Sequence, residues 1–173
     1  GHGHLGGKSA GLFVAWQIIS RKTENKQFAN LRVPKTWYIS SDGLMSFIRY
    51  NNLEDAIEQK YKELEEIQLE YPNIVQIFKN SPFPPEMING LSRAIDDLGD
   101  NPIIVRSSSL LEDRLGAAFS GKYKSLFLAN QGDKNHRLEA LTDAIAEVYA
   151  STFAPDPIEY RMAQELIDFH EEM

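Results

Sequence analysis

The run Ile103-Ile104-Val105 ends in Arg106-Ser107-Ser108-Ser109 and, two residues further on, in Glu112-Asp113. Gly99-Asp100-Asn101-Pro102 turns into it. A short β-branched run bounded by turn residues reads as a buried strand. A fold built around this strand must find a place for the arginine at its tip. The guanidinium stays charged at every accessible pH, and taking it out of water without a partner is costly. Two solutions exist. The arginine can pair with an acid such as Glu112 or Asp113, or it can face an anion that the protein binds. A planar fork of donors suits phosphate oxygens, and serine hydroxyls and loop N–H groups add neutral donors. Ser107 and Ser108 can equally bond to nearby backbone.

Around this strand most of the chain has helical periodicity. Leu12, Phe13, Ala15, Trp16 and Ile19 predict a helix that starts near Lys8. Val33-Pro34 leads into a predicted strand, Trp37-Tyr38-Ile39-Ser40, and Ser41-Asp42-Gly43 opens a helix. Leu53, Ala56, Ile57, Tyr61, Leu64 and Ile67 predict one amphipathic helix to about Tyr71. Its charged face reads as solvated, with i,i+4 support from Glu58 to Lys62. Pro85 starts a helix lined by Met87, Ile88, Leu91, Ile95 and Leu98, and Gly99 stops it. Lys122 to Leu128 predicts a strand, and Leu138 to Tyr149 a long helix that ends before Pro155 and Pro157. A last helix begins near Ile158. Many helices with few strands predict an α+β or α/β unit with a small sheet.

Two glycine-bearing segments accompany the arginine. Gly116-Ala117-Ala118-Phe119-Ser120-Gly121 lets backbone come close to a ligand, although an ordinary loop has the same composition. Gly6-Gly7-Lys8-Ser9 places a lysine where free N–H groups at a helix start favour phosphate. Taken alone, Lys8 reads as an exposed lysine in an N-terminal turn rather than as a phosphate ligand. A P-loop requires glycine five residues before Gly7, where His2 stands. Gly1, Gly3 and Gly6 match the dinucleotide fingerprint by letter, but no strand precedes them and no βαβ unit follows.

The 18 basic and 25 acidic residues give a net charge of −7, against a general nucleic-acid binder. One nucleotide needs only a few local cations. No apolar run is long enough to span a bilayer, so no membrane partner is expected. There is no cysteine for a disulfide or a thiolate-bound metal, which fits a cytoplasmic protein. Glu112 and Asp113 are adjacent and diverge on either regular element, and His2 and His4 are only two ligands. No metal site is therefore predicted.

Gly6-Gly7-Lys8, Val33-Pro34, Val105-Arg106-Ser107-Ser108, Glu112-Asp113 and the loop Gly116 to Gly121 occur in one order. Ser151-Thr152-Phe153 and Tyr160-Arg161 follow. This series resembles the nucleotide-binding region of the phosphoenolpyruvate synthase and pyruvate phosphate dikinase family. The resemblance implies a partial ATP-grasp type domain in which Lys8, Arg106, Ser107, Gly116, Ser120, Gly121 and Ser125 meet the phosphates of ATP. Arg106 would also stabilise charge during phosphoryl transfer. Residues 1–173 would be the N-terminal part of that domain within a longer chain. The Mg²⁺ ligands, the phosphohistidine domain and the acceptor domain would lie elsewhere in it. Ser125 stands where the family often has threonine. Ser107 to Asp113 and Gly121 to Lys124 depart from the commoner wording, which leaves the acceptor and that edge of the site open. A non-catalytic nucleotide-sensing or interaction module with the same fold is the alternative.

Overall fold

A computed structural model describes residues 34–107 and 124–163. Residues 34–40 form an extended strap without regular structure. Helix α1 runs over Ser41–Tyr50, and a 3₁₀ segment follows over Glu54–Tyr61. Helices α2 and α3 cover Leu64–Asn80 and Pro85–Leu98. Strands β1, Ile103–Arg106, and β2, Ser125–Leu128, pair antiparallel. Helices α4, Lys134–Ser151, and α5, Pro155–Ala163, complete the described chain. This is the expected helix-rich α+β unit with a small sheet.

Helix α4 is the hub. It packs against α2, α3 and both strands. An aromatic cluster fills the centre: Phe47 lies 4.8 Å from Phe83, 5.5 Å from Phe78 and 5.7 Å from Tyr149, measured between ring centroids. Rings at these separations and tilts interact favourably beyond their area burial. The sheet adds Ile103, Val105 and Leu128 to the margin of the core. Period-2 alternation sends Ile104, Arg106, Ser125 and Phe127 to the other face, where all four are exposed.

Local chemistry explains most boundaries. Pro85 occupies the first turn of α3, where its missing N–H costs nothing. Gly99 ends α3 at φ +62° and ψ −141°, a region closed to side chains. Asp133 caps α4 by accepting a hydrogen bond from the His136 backbone N–H at 2.9 Å. Asn130, also at positive φ, donates to the carbonyls of Gly99 at 2.7 Å and Asn101 at 2.8 Å. One amide thereby joins the turn entering β1 to the turn leaving β2 and holds the two strands in register.

Four expectations are corrected. Trp37 to Ser40 is extended but pairs with no strand among the described residues. Lys35 and Trp37 are tied by their side chains to α3 instead. The helix expected from Leu53 to Tyr71 is two elements. A break at Lys62-Glu63 separates the 3₁₀ segment from α2, and α2 continues through Pro72 to Asn80. Pro72 is exposed, so the carbonyl its ring leaves unpaired can turn to water, while Ile74 and Phe78 are buried beyond it. The break also removes the Glu58–Lys62 geometry, and Lys62 pairs with Glu70. Finally, Pro155 is the first residue of α5, so the last helix starts three positions before Ile158. The predicted helix after Lys8 and the start of the Lys122–Leu128 strand lie outside the described residues.

Candidate functional site

Arg106 is the last residue of β1, Ser125 is the first of β2, and the two are register partners. Directly opposed residues on one face bring their Cβ atoms to about 5 Å. The guanidinium and the Ser125 hydroxyl therefore leave the same face at the same end of the hairpin. Ser107 follows at once and is buried. The chain departs at Arg106 and returns at Ser125, and the intervening sequence is the one that carries Gly116, Ser120 and Gly121.

Among the described residues Arg106 makes no side-chain hydrogen bond and no ion pair. The other cations nearby are engaged. Lys124 lies 2.5 Å from Glu147, and Lys79 bridges Asp143 at 3.1 Å and Glu147 at 3.5 Å. The Lys124 hydrogen bond, with further attraction from Lys79, holds the Glu147 carboxyl below the usual range despite its partial burial. Lys124 precedes Ser125, so this pair anchors the returning leg of the connection to α4. Sequence periodicity did not reveal that anchor, because Glu147 lies on the face of α4 opposite the apolar positions used to find the helix.

A cavity of about 610 Å³ opens beside this end of the hairpin, between the strap, α3, α4 and the edge of β1. Its lining includes Arg106, Ser107, Ser125, Trp37, Ile104 and Phe127. The volume falls within the range of small-molecule sites. The strap wall is held by Asp97 near the end of α3. Trp37 Nε1 donates to Asp97 Oδ2 at 2.8 Å, and Lys35 Nζ lies 2.6 Å from Oδ1. These two donors hold the Asp97 carboxyl below its ordinary value. Tyr149 also lines the cavity, with its hydroxyl buried and unpartnered among the described residues, and burial pushes this phenol far above its ordinary value.

The structure thus brings Arg106, Ser107 and Ser125 to one cavity. Lys8, Gly116, Ser120 and Gly121 lie outside the described residues. No group of three or more His, Asp or Glu side chains among the described residues could hold a metal ion. No helix among them is long and apolar enough to cross a membrane.

The described residues thus form an α+β unit in which an arginine at a strand tip, without an ion-pair partner among them, stands beside Ser125 at the edge of a cavity. Residues 2–173 match the family described as pyruvate phosphate dikinase, AMP/ATP-binding domain, and the chain belongs to it. It is 26% identical over 164 residues to a phosphoenolpyruvate synthase of Deinococcus radiodurans, with 91% of this chain and 19% of that protein covered. It is 24% identical over 167 residues to a phosphoenolpyruvate synthase of Aquifex aeolicus, covering 90% and 18%. The chain therefore spans about a fifth of the length of these relatives. No solved structure gives a significant match.

Proposed function

We propose that this chain is the N-terminal part of an ATP-grasp type domain in a cytoplasmic, dikinase-type phosphotransferase. ATP is its nucleotide, and Arg106, Ser107 and Ser125 bind the phosphate chain together with Lys8, Gly116, Ser120 and Gly121. The single observation that carries the reading is Arg106. It stands exposed beside Ser125, with no acid partner among the described residues, where the connection bearing the glycine loop leaves and returns. Lys79 and Lys124 nearby are each paired with carboxylates.

In this mechanism the chain's residues bind and orient. Arg106 offers two parallel N–H donors to phosphate oxygens and offsets charge that builds up as a phosphoryl group departs. Ser125 and Ser107 add neutral donors on the same side. Backbone N–H groups of Gly116 to Gly121 complete the cradle, and Lys8 supplies a second cation. Mg²⁺ would neutralise the phosphates when bound. No described residue is assigned to it, and its ligands belong to the remainder of the domain. The phosphoryl group passes to a histidine on another domain of the longer protein and then to an acceptor such as pyruvate. Residues 1–173 alone accordingly do not complete transfer.

The test is labelling with ATP carrying ³²P in its phosphates. The longer protein is expected to acquire acid-labile, base-stable label, and Arg106→Ala in it to acquire at least tenfold less. The 173-residue chain stays unlabelled. A longer protein that binds ATP and never takes label overturns the transferase reading and leaves a nucleotide-sensing module.

A further inference from the structure

Arg106 and Ser125 form the last pair of the ladder, so their relative placement depends on what holds each strand at that end. The two strands are held differently. On β1 the inward residues Ile103 and Val105 both pack against the core cluster, and Ser107 beyond them is buried. On β2 the core contact is Leu128, at the end away from Ser125. Beside Ser125 the next inward position is Lys124, which shares the period-2 parity of Leu126 and Leu128. Apolar anchoring of β2 is therefore strongest far from Ser125, and at Ser125 the inward neighbour is a charge. Two paired four-residue strands have little rigidity of their own.

Glu147 receives that charge. Lys124 Nζ lies 2.5 Å from Glu147 Oε1, and Lys79 of α2 approaches Glu147 Oε2 at 3.5 Å. Lys79 also meets Asp143 at 3.1 Å. Asp143 and Glu147 stand at i,i+4 on α4, where like charges repel, and the lysine between them offsets the repulsion. An isolated surface pair would be worth little, but four charges from α2, α4 and the start of β2 form a network, and the Glu147 side chain within it is only 18% exposed. Helix α4 packs against α2, α3 and both strands, so a carboxylate fixed on it is fixed to the core.

We propose that Glu147 is a positioning residue of the phosphate site: through Lys124 it fixes the start of β2 and so holds the Ser125 hydroxyl in step with Arg106. The inference rests on the phosphate reading above and adds a residue that touches no ligand. Its sign separates it from a simple field effect. Removing a carboxylate near an anion site, and freeing the lysine it neutralised, would by charge alone tighten ATP binding. Losing the anchor of Ser125 weakens it.

The test is titration calorimetry of Mg²⁺-ATP against the 173-residue chain and its variants, each with circular dichroism and a urea midpoint. Glu147→Ala is expected to weaken ATP about 2- to 30-fold, the span for residues that act on a site through intervening contacts. Glu147→Gln keeps the size of the side chain and loses less; should Glu147→Ala fail to fold, it carries the same comparison. In a Ser125→Ala background neither substitution is expected to weaken ATP further, because the hydroxyl it would misplace is gone. A merely structural Glu147 would lower the urea midpoint and leave the affinity of the folded chain within twofold of the parent. That result, tighter binding by the Glu147 variants, or an equal loss with and without the Ser125 hydroxyl would each overturn the proposal. If Arg106→Ala weakens ATP and the Glu147 variants do not, this inference falls and the phosphate reading stands. If the parent chain binds no ATP, both fall together.

Discussion

Gly99 illustrates a residue whose role is backbone geometry alone. A Cβ placed there would meet nothing within 4 Å, so space is not the constraint. Its φ of +62° with ψ of −141° is the constraint, because a side chain strains that conformation. Gly99→Ala is expected to destabilise the chain by about 1–3 kcal/mol. Urea denaturation should show a lower midpoint at an unchanged slope, since no surface is newly exposed. The glycine and the proline after it were legible in the sequence as a helix stop. Asn130 was not. Its work depends on two carbonyls some 30 positions away, and no local pattern signals a buried asparagine that joins two turns. Arg106 lies between these cases. Its place at a strand tip was legible, but the sequence left open whether it pairs with Glu112 or Asp113 or faces an anion.

At the scale of elements, success followed periodicity and failure followed competition from side chains. Helices α3 and α4 have long apolar stripes and were read correctly. The strap has the composition of a strand, yet Asp97 takes Lys35 and Trp37 and the backbone joins no ladder among the described residues. The apolar positions from Leu53 to Ile67 fit one helical face, but Lys62-Glu63 breaks it. Element anchoring also makes a pH prediction. The Lys124–Glu147 pair ties the start of β2 to α4, and the Lys124 hydrogen bond holds the Glu147 carboxyl below its ordinary value in the folded state. A depressed carboxylate contributes stability that is present above the unfolded value and lost as pH falls through the folded one. Stability of Glu147→Gln, followed by denaturation from pH 6 down to about pH 3, should therefore fall less steeply than that of the parent. Parallel curves would mean that the pair contributes nothing net.

For the described residues as a whole, a helix-rich unit packed on α4 leaves a two-stranded sheet at its edge, and Arg106, Ser107 and Ser125 come together at one end of it. Composition and periodicity could predict the helix-rich class. They could not predict the cavity, because its walls come from the strap, α3, α4 and the hairpin, which are separated by up to about a hundred positions of sequence. The order of short motifs carried the family resemblance, and the match over residues 2–173 shows the family. At that end of the sheet Arg106 is exposed, so water can solvate its charge although it has no ion-pair partner among the described residues.

The central claim is that Arg106 is held for phosphate. Titration calorimetry with Mg²⁺-ATP on the parent chain and on Arg106→Ala tests it most directly, with circular dichroism to verify that both are folded. Loss of a charge-assisted hydrogen bond predicts affinity weakened by about 1.5–3 kcal/mol, roughly 10- to 150-fold. A folded Arg106→Ala chain that binds ATP as tightly as the parent would contradict the account.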